Sequence, residues 1–165
     1  MNSVVVVDDE PPARRKLARL LQRHGDFRLI GEAASAGAAV AVIEELRPAV
    51  VFLDVQLQND SGFAVLAQLT PEATPVTIFV TAFHHYAVEA FNVRALDYLL
   101  KPVSPSRFDA ALEVVAALGE ADSMTAAKAL VKAGFLTRLH ATRLLEGRTR
   151  GFFINHFRIE DILGS

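Results

Sequence analysis

The sequence predicts an α/β domain built on a doubly wound, five-stranded parallel sheet, with a short C-terminal helix and a β-hairpin extension. Three observations carry this reading. Short runs of β-branched and apolar residues alternate with longer stretches of helical periodicity, the mark of βαβ units. Most of the runs lack polar alternation, the pattern of strands covered on both faces. Four of them end in residues that bear charge or a hydroxyl, and in such sheets function collects at the carboxyl ends of strands beside a topological switch point.

The predicted strands are residues 3–7, 27–33, 50–53, 77–80 and 97–100. Helices are predicted over 11–24, 37–46, 61–69, 85–91 and 105–118, and their ends are marked chemically. Pro11 and Pro12 suit a first helical turn, Ser61 and Ser104 suit N-caps, and Gly25 and Gly119 suit C-terminal caps. Pro48 and Pro75 stop the segments that precede two of the strands. After Gly119 the pattern changes to an alanine-rich amphipathic segment, 123–133, then to two β-like stretches, 135–145 and 151–159, with Glu146, Gly147 and Arg148 at a turn between them. Three regions follow: a first domain at 1–119, a linker helix at 120–134 and a remainder at 135–165.

Composition narrows the function classes. The 165 residues are 52% hydrophobic and 22% charged, enough to bury a core. A net charge of −2 lacks the basic excess of a dedicated nucleic-acid binder. The absence of cysteine removes disulfides, thiolate metal sites and cysteine nucleophiles, and suits a reducing compartment. No export signal or membrane-length apolar stretch is visible, so the expected location is the cytoplasm.

The strand ends form a consistent set. The first run ends in Asp8 and Asp9, the third in Asp54, the fourth in Thr81, and the fifth in Lys101-Pro102. Clustered carboxylates without His or Cys ligands make a hard oxygen site, which favours Mg²⁺. Phosphoryl transfer needs a nucleophile, a divalent cation and further donors for developing charge. Asp54 fits the nucleophile, Asp8 and Asp9 the cation ligands, Lys101 a mobile cation for the phosphoryl oxygens, and Thr81 a hydroxyl donor. His84 and His85 beside the threonine read as surface residues, because adjacent helical residues point in different directions.

The stretches VDDEPPARRKL (7–17), VVFLDVQL (50–57) and FVTAFHHYAVEAFNVRALDYLLKP (79–102) resemble the receiver domains of bacterial two-component response regulators, over residues 1–119. The last stretch is similar to receivers of the LytR/AlgR type, whose output is a LytTR DNA-binding domain. The resemblance implies a flavodoxin-like strand order of 2-1-3-4-5 and a phosphoacceptor at Asp54, served by a sensor histidine kinase or a small acyl phosphate. It also implies that Asp8 and Asp9 form the acidic pair, Asp9 being the more direct ligand of Mg²⁺, and that Gln56 offers its backbone carbonyl to the metal. Thr81 and Lys101 would bind the phosphoryl group, Tyr98 would be the aromatic switch, and Pro102 would follow a cis peptide bond. One departure stands beside Asp54: Leu57 and Gln58 occupy the place of a common Met-Pro pair.

Residues 144–163 resemble the opening strands of a LytTR domain, in the GRTR turn at 147–150 and the acidic-acidic-apolar triplet at 160–162. The segment is read as a truncated or degenerate output domain, with DNA binding expected only if such a domain is complete. A homodimer is expected through the 84–118 face or through the C-terminal extension. The sequence therefore reads as a phosphoacceptor signalling domain rather than an enzyme, with a DNA-binding regulator gated by the receiver as the alternative. A phosphatase with an aspartyl nucleophile fits poorly, since such folds want a second Asp two residues on and Gln56 stands there.

Overall fold

The computed structural model describes residues 1–83, 85–86, 90, 93 and 95–118, together with the backbone of two short strands at 153–154 and 157–158. The chain divides into two compact units, Met1–Val103 and Ser104–Ser165. In the first, the elements are β1 (Asn2–Val7), α1 (Pro11–Leu21), β2 (Phe27–Ala33), α2 (Ala36–Leu46), β3 (Val50–Leu53), β4 (Gln56–Leu57), β5 (Asp60–Ser61), α3 (Gly62–Gln68), a 3₁₀ turn (Pro71–Ala73), β6 (Val76–Thr81) and β7 (Asp97–Leu100).

The main sheet is parallel, with order β2-β1-β3-β6-β7. This is the predicted 2-1-3-4-5 order, because β4 and β5 pair only with each other. The order reverses direction at β1, where the chain leaves toward β2 and returns to β3, so a crevice opens at the carboxyl ends of β1 and β3.

Alternation along the strands builds two apolar layers. Val5, Val7, Val51, Leu53 and Phe79 belong to a core shared with Ala39 and Ile43 of α2 and Val65 of α3. Val4, Val6, Val50, Phe52 and Ile78 are equally buried and point to the opposite face. The runs lacked polar alternation because the central strands have no solvent side. The edge strands differ: Arg28 and Glu32 of β2 and Leu100 of β7 are exposed.

Several boundaries depart from expectation. The helix predicted to reach residue 24 ends at Leu21 with Gln22 as its C-cap, so Gly25 lies beyond the cap. The second helix starts one residue early behind Ser35, whose Oγ accepts from the Ala38 amide, and it closes on Arg47 in the left-handed region at φ 43°. Thr81 is the last residue of β6 rather than the first after it. Ser61 does cap α3, its Oγ accepting from the Ala64 amide at 3.1 Å.

In the second unit α4 (Pro105–Leu118) runs over the predicted span, with Ser104 Oγ accepting from the Arg107 amide. β8 (Phe153–Ile154) pairs antiparallel with β9 (Phe157–Arg158). The stretch 151–159, read as one strand, thus holds two, at 153–154 and 157–158. Gly119, the helix at 123–133, the stretch 135–145, its turn at 146–148, His84 and most of the helix at 85–91 lie outside the described residues; Ala90 is helical and buried.

The β4–β5 hairpin replaces the Met-Pro pattern with a different solution. Leu57 is buried, and Gln58 takes the turn at φ 47°. Proline is fixed near φ −65°, so Gln58→Pro does not restore a family-like loop here. It is expected to destabilise the protein by at least about 1 kcal/mol, measured by urea unfolding; an unchanged midpoint would contradict the left-handed turn.

Candidate functional site

The site is assembled by hydrogen bonds that continue the sheet one residue past its strands. The Asp8 amide donates to the Ala33 carbonyl at 3.1 Å, the Asp54 amide to Val7 at 2.9 Å, and the Lys101 amide to Thr81 at 2.8 Å. Each fixes a side chain at the carboxyl edge of the sheet.

Asp8, Asp9 and Asp54 bring carboxylate oxygens within 4.8 Å of one another, with Asp8 and Asp54 buried and Asp9 half-buried. The Lys101 ammonium lies 2.7 Å from Oδ2 of both Asp8 and Asp54, and 3.4 Å from Glu10. The other Asp54 oxygen, Oδ1, accepts from the Gln56 amide at 3.1 Å, and Asp8 Oδ1 accepts from the Glu10 amide at 2.9 Å. Arg14 donates to the Asp8 backbone carbonyl and pairs with Glu32 at 3.2 Å, pinning α1 to the strand end.

Burial pushes the Asp8 carboxyl above its ordinary value, against the lowering effect of Lys101 and the Glu10 amide. For Lys101, burial alone would lower the ammonium, but hydrogen bonds to Asp54 and Asp8 outweigh it and hold the group above the usual lysine value. Three carboxylates facing one ammonium leave a surplus of negative charge, and every donor is a hard oxygen. The residues therefore fit a divalent cation such as Mg²⁺.

Thr81 Oγ1 is fully buried and has no hydrogen-bond partner among the described residues. Such a hydroxyl is costly unless something polar can reach it. Tyr98, half-buried on β7, donates its hydroxyl to the Phe83 carbonyl. The Lys101–Pro102 bond is cis. His85 is exposed.

Two contributors escaped the sequence reading. Gly62 donates its amide to Val55 at 2.8 Å, and a Cβ there would collide with the Asp54 carbonyl oxygen and lie 3.0 Å from Leu53 Cγ. A glycine after a capping serine looks ordinary, so only the fold reveals the close approach. Tyr86 accepts a hydrogen bond on its hydroxyl from Gln56 Nε2 at 3.4 Å, a pairing across thirty residues that no local pattern marks.

A doubly wound parallel sheet with three acidic groups and a lysine at its switch point is the arrangement of a signalling receiver domain. The chain matches the response regulator receiver domain over residues 4–113 and belongs to that family. It is 45% identical over 112 residues to the transcriptional regulatory protein BtsR of Salmonella typhi, a match covering 68% of this chain and 47% of that protein. An uncharacterised response regulatory protein of Vibrio vulnificus is 47% identical over 107 residues, covering 65% and 44%. The chain spans about half the length of these curated relatives. Among solved structures, the receiver domain of the putative regulator NarL from Mycobacterium tuberculosis superposes with a TM-score of 0.63 at 27% identity, covering 70% of this chain and 96% of that one. The response regulatory domain of mrkE from Klebsiella pneumoniae gives 0.63 at 27%, covering 69% and 94%. The protein is thus a two-component receiver, a signalling domain. No described helix is long and apolar enough to cross a membrane.

Two outcomes test the geometry. Gly62→Ala is expected to cost about 1–3 kcal/mol in urea unfolding, because the alternative is displacement of the Asp54 backbone. Lys101→Met removes groups that lower the Asp8 pKa and leaves burial and Asp54, which raise it. The Asp8 carboxyl should then titrate at higher pH than in wild type, read from its ¹³C shift. The folded lysine holds its proton more tightly than the unfolded one, so its stabilisation is complete at neutral pH and fades above roughly pH 10.4. Asp8 has the same sign at lower pH, since its folded pKa is also raised and stability is lost as its carboxyl ionises through the carboxylate range.

Proposed function

We propose that Asp54 accepts a phosphoryl group from a sensor histidine kinase, or from a small acyl phosphate, and that the modification resets a partner-binding surface. The observation that carries this is the Lys101 ammonium held 2.7 Å from both Asp54 and Asp8, next to a buried, unpartnered Thr81 hydroxyl. Asp54 supplies the attacking oxygen, Lys101 exchanges its carboxylate contact for the incoming phosphoryl oxygens, and Thr81 Oγ1 gains a partner by donating to them. Asp8, Asp9, Asp54 and the Gln56 carbonyl would hold Mg²⁺, which when bound supplies positive charge over the phosphoryl oxygens. Movement of Thr81 toward the phosphoryl group would free space for the Tyr98 ring, which must leave the Phe83 carbonyl to turn inward. The face at 84–118, or the C-terminal extension, would then pair with a second copy.

In this reading residues 1–119 are the receiver, 120–134 a linker helix and 135–165 a truncated or degenerate LytTR-like segment. The second reading is a DNA-binding transcription regulator gated by the receiver, which requires a complete output domain. The function named for the BtsR relatives supports this, as does the likeness of 144–163 to LytTR strands.

Incubation with Mg²⁺ and acetyl phosphate should give a phosphoryl adduct by intact mass, absent in Asp54→Ala. If neither acetyl phosphate nor a cognate kinase labels the wild-type protein, the proposal fails.

A further inference from the structure

The loop that carries Asp54 is held from outside by one aromatic side chain. Gln56 is bonded at two points: its amide donates to Asp54 Oδ1 at 3.1 Å, and its side-chain Nε2 donates to the Tyr86 hydroxyl at 3.4 Å. The Tyr86 ring also lies beside Phe63 of α3, at 6.1 Å between centroids and an interplanar angle of 57°. Phe63 in turn packs on Phe79 of β6 at 4.9 Å. On its other side Tyr86 meets Phe83 edge to face, at 6.1 Å and 77°. The Phe83 carbonyl accepts the Tyr98 hydroxyl. Tyr86 therefore touches both flanks of the phosphoacceptor loop and the residue that holds Tyr98.

The loop has little slack with which to ignore this tether. Gly62 returns against the Asp54 backbone so closely that no Cβ fits, and the Gly62 amide is bonded to Val55. A shift of Gln56 must therefore be passed to the Asp54 carboxylate that its amide supports.

We infer that Tyr86 is a positioning residue for the phosphoacceptor, acting through Gln56 on the Asp54 carboxylate and through Phe83 on Tyr98. The inference rests on the reading of Asp54 as the phosphoryl acceptor. In the reaction with acetyl phosphate the acyl O–P bond breaks, acetate leaves, and an Asp54 Oδ–P bond forms. A carboxylate held in line reacts faster than one free to swing. Tyr86→Phe keeps the ring and its packing but deletes the acceptor of the Gln56 bond.

The test is the rate of adduct formation by intact mass for wild type, Tyr86→Phe, Gln56→Ala and the double variant, with Mg²⁺ and acetyl phosphate. Tyr86→Phe should slow the reaction roughly two- to tenfold, the range that one net hydrogen bond spans. Its melting temperature should stay near wild type. The double variant should be no slower than Gln56→Ala alone, since both remove the same contact. A wild-type rate in Tyr86→Phe, or additive effects in the double variant, overturns the inference while leaving Asp54 as acceptor. A wild-type protein that forms no adduct overturns both.

Discussion

The ammonium of Lys101 is the constraint on which the rest of this site depends. Two buried carboxylates at the ends of adjacent strands repel each other and lose hydration, and both effects disfavour their charged forms. A single cation 2.7 Å from both offsets that cost without removing the negative surplus. The arrangement is tense by composition. It is settled enough to fold, yet still short of positive charge, and that shortage fits the carboxylates to a divalent cation.

The sheet makes this tension sustainable. Asp8, Asp54 and Lys101 are each tied by their own amide to the preceding carbonyl edge, so their Cα positions follow from strand register rather than from loop conformation. The register in turn is set by apolar layers on both faces, where a slip would expose Val5, Val7, Leu53 and Phe79 together. Core packing and site geometry are therefore the same constraint seen from two sides.

Much of this was legible in the sequence, for a physical reason. Buried parallel strands write themselves as short apolar runs, and the residue that ends a run is the residue at the carboxyl edge. All five main strands to within a residue at each end, and the meeting of Asp8, Asp9, Asp54 and Lys101, followed from that correspondence, while the strand order came from the family resemblance. What escaped depends on distance along the chain or on backbone conformation. Gly62 matters because of where the Asp54 carbonyl lies, and Tyr86 because α3 and the segment after β6 converge. Gln58 and Arg47 occupy left-handed positions without being glycine, so no residue type announced them.

The start of α1 carries a final consequence. Helix beginnings usually offer bare amides to an anion, but this one opens with two prolines that have none. The next two amides, of Ala13 and Arg14, are already bonded to the Glu10 carbonyl. The helix end nearest the acidic cluster is thereby electrostatically muted. A charge meeting this end of α1 finds side chains rather than a helix-end backbone cradle, and receptors made of side chains can be retuned one substitution at a time while the scaffold stays unchanged.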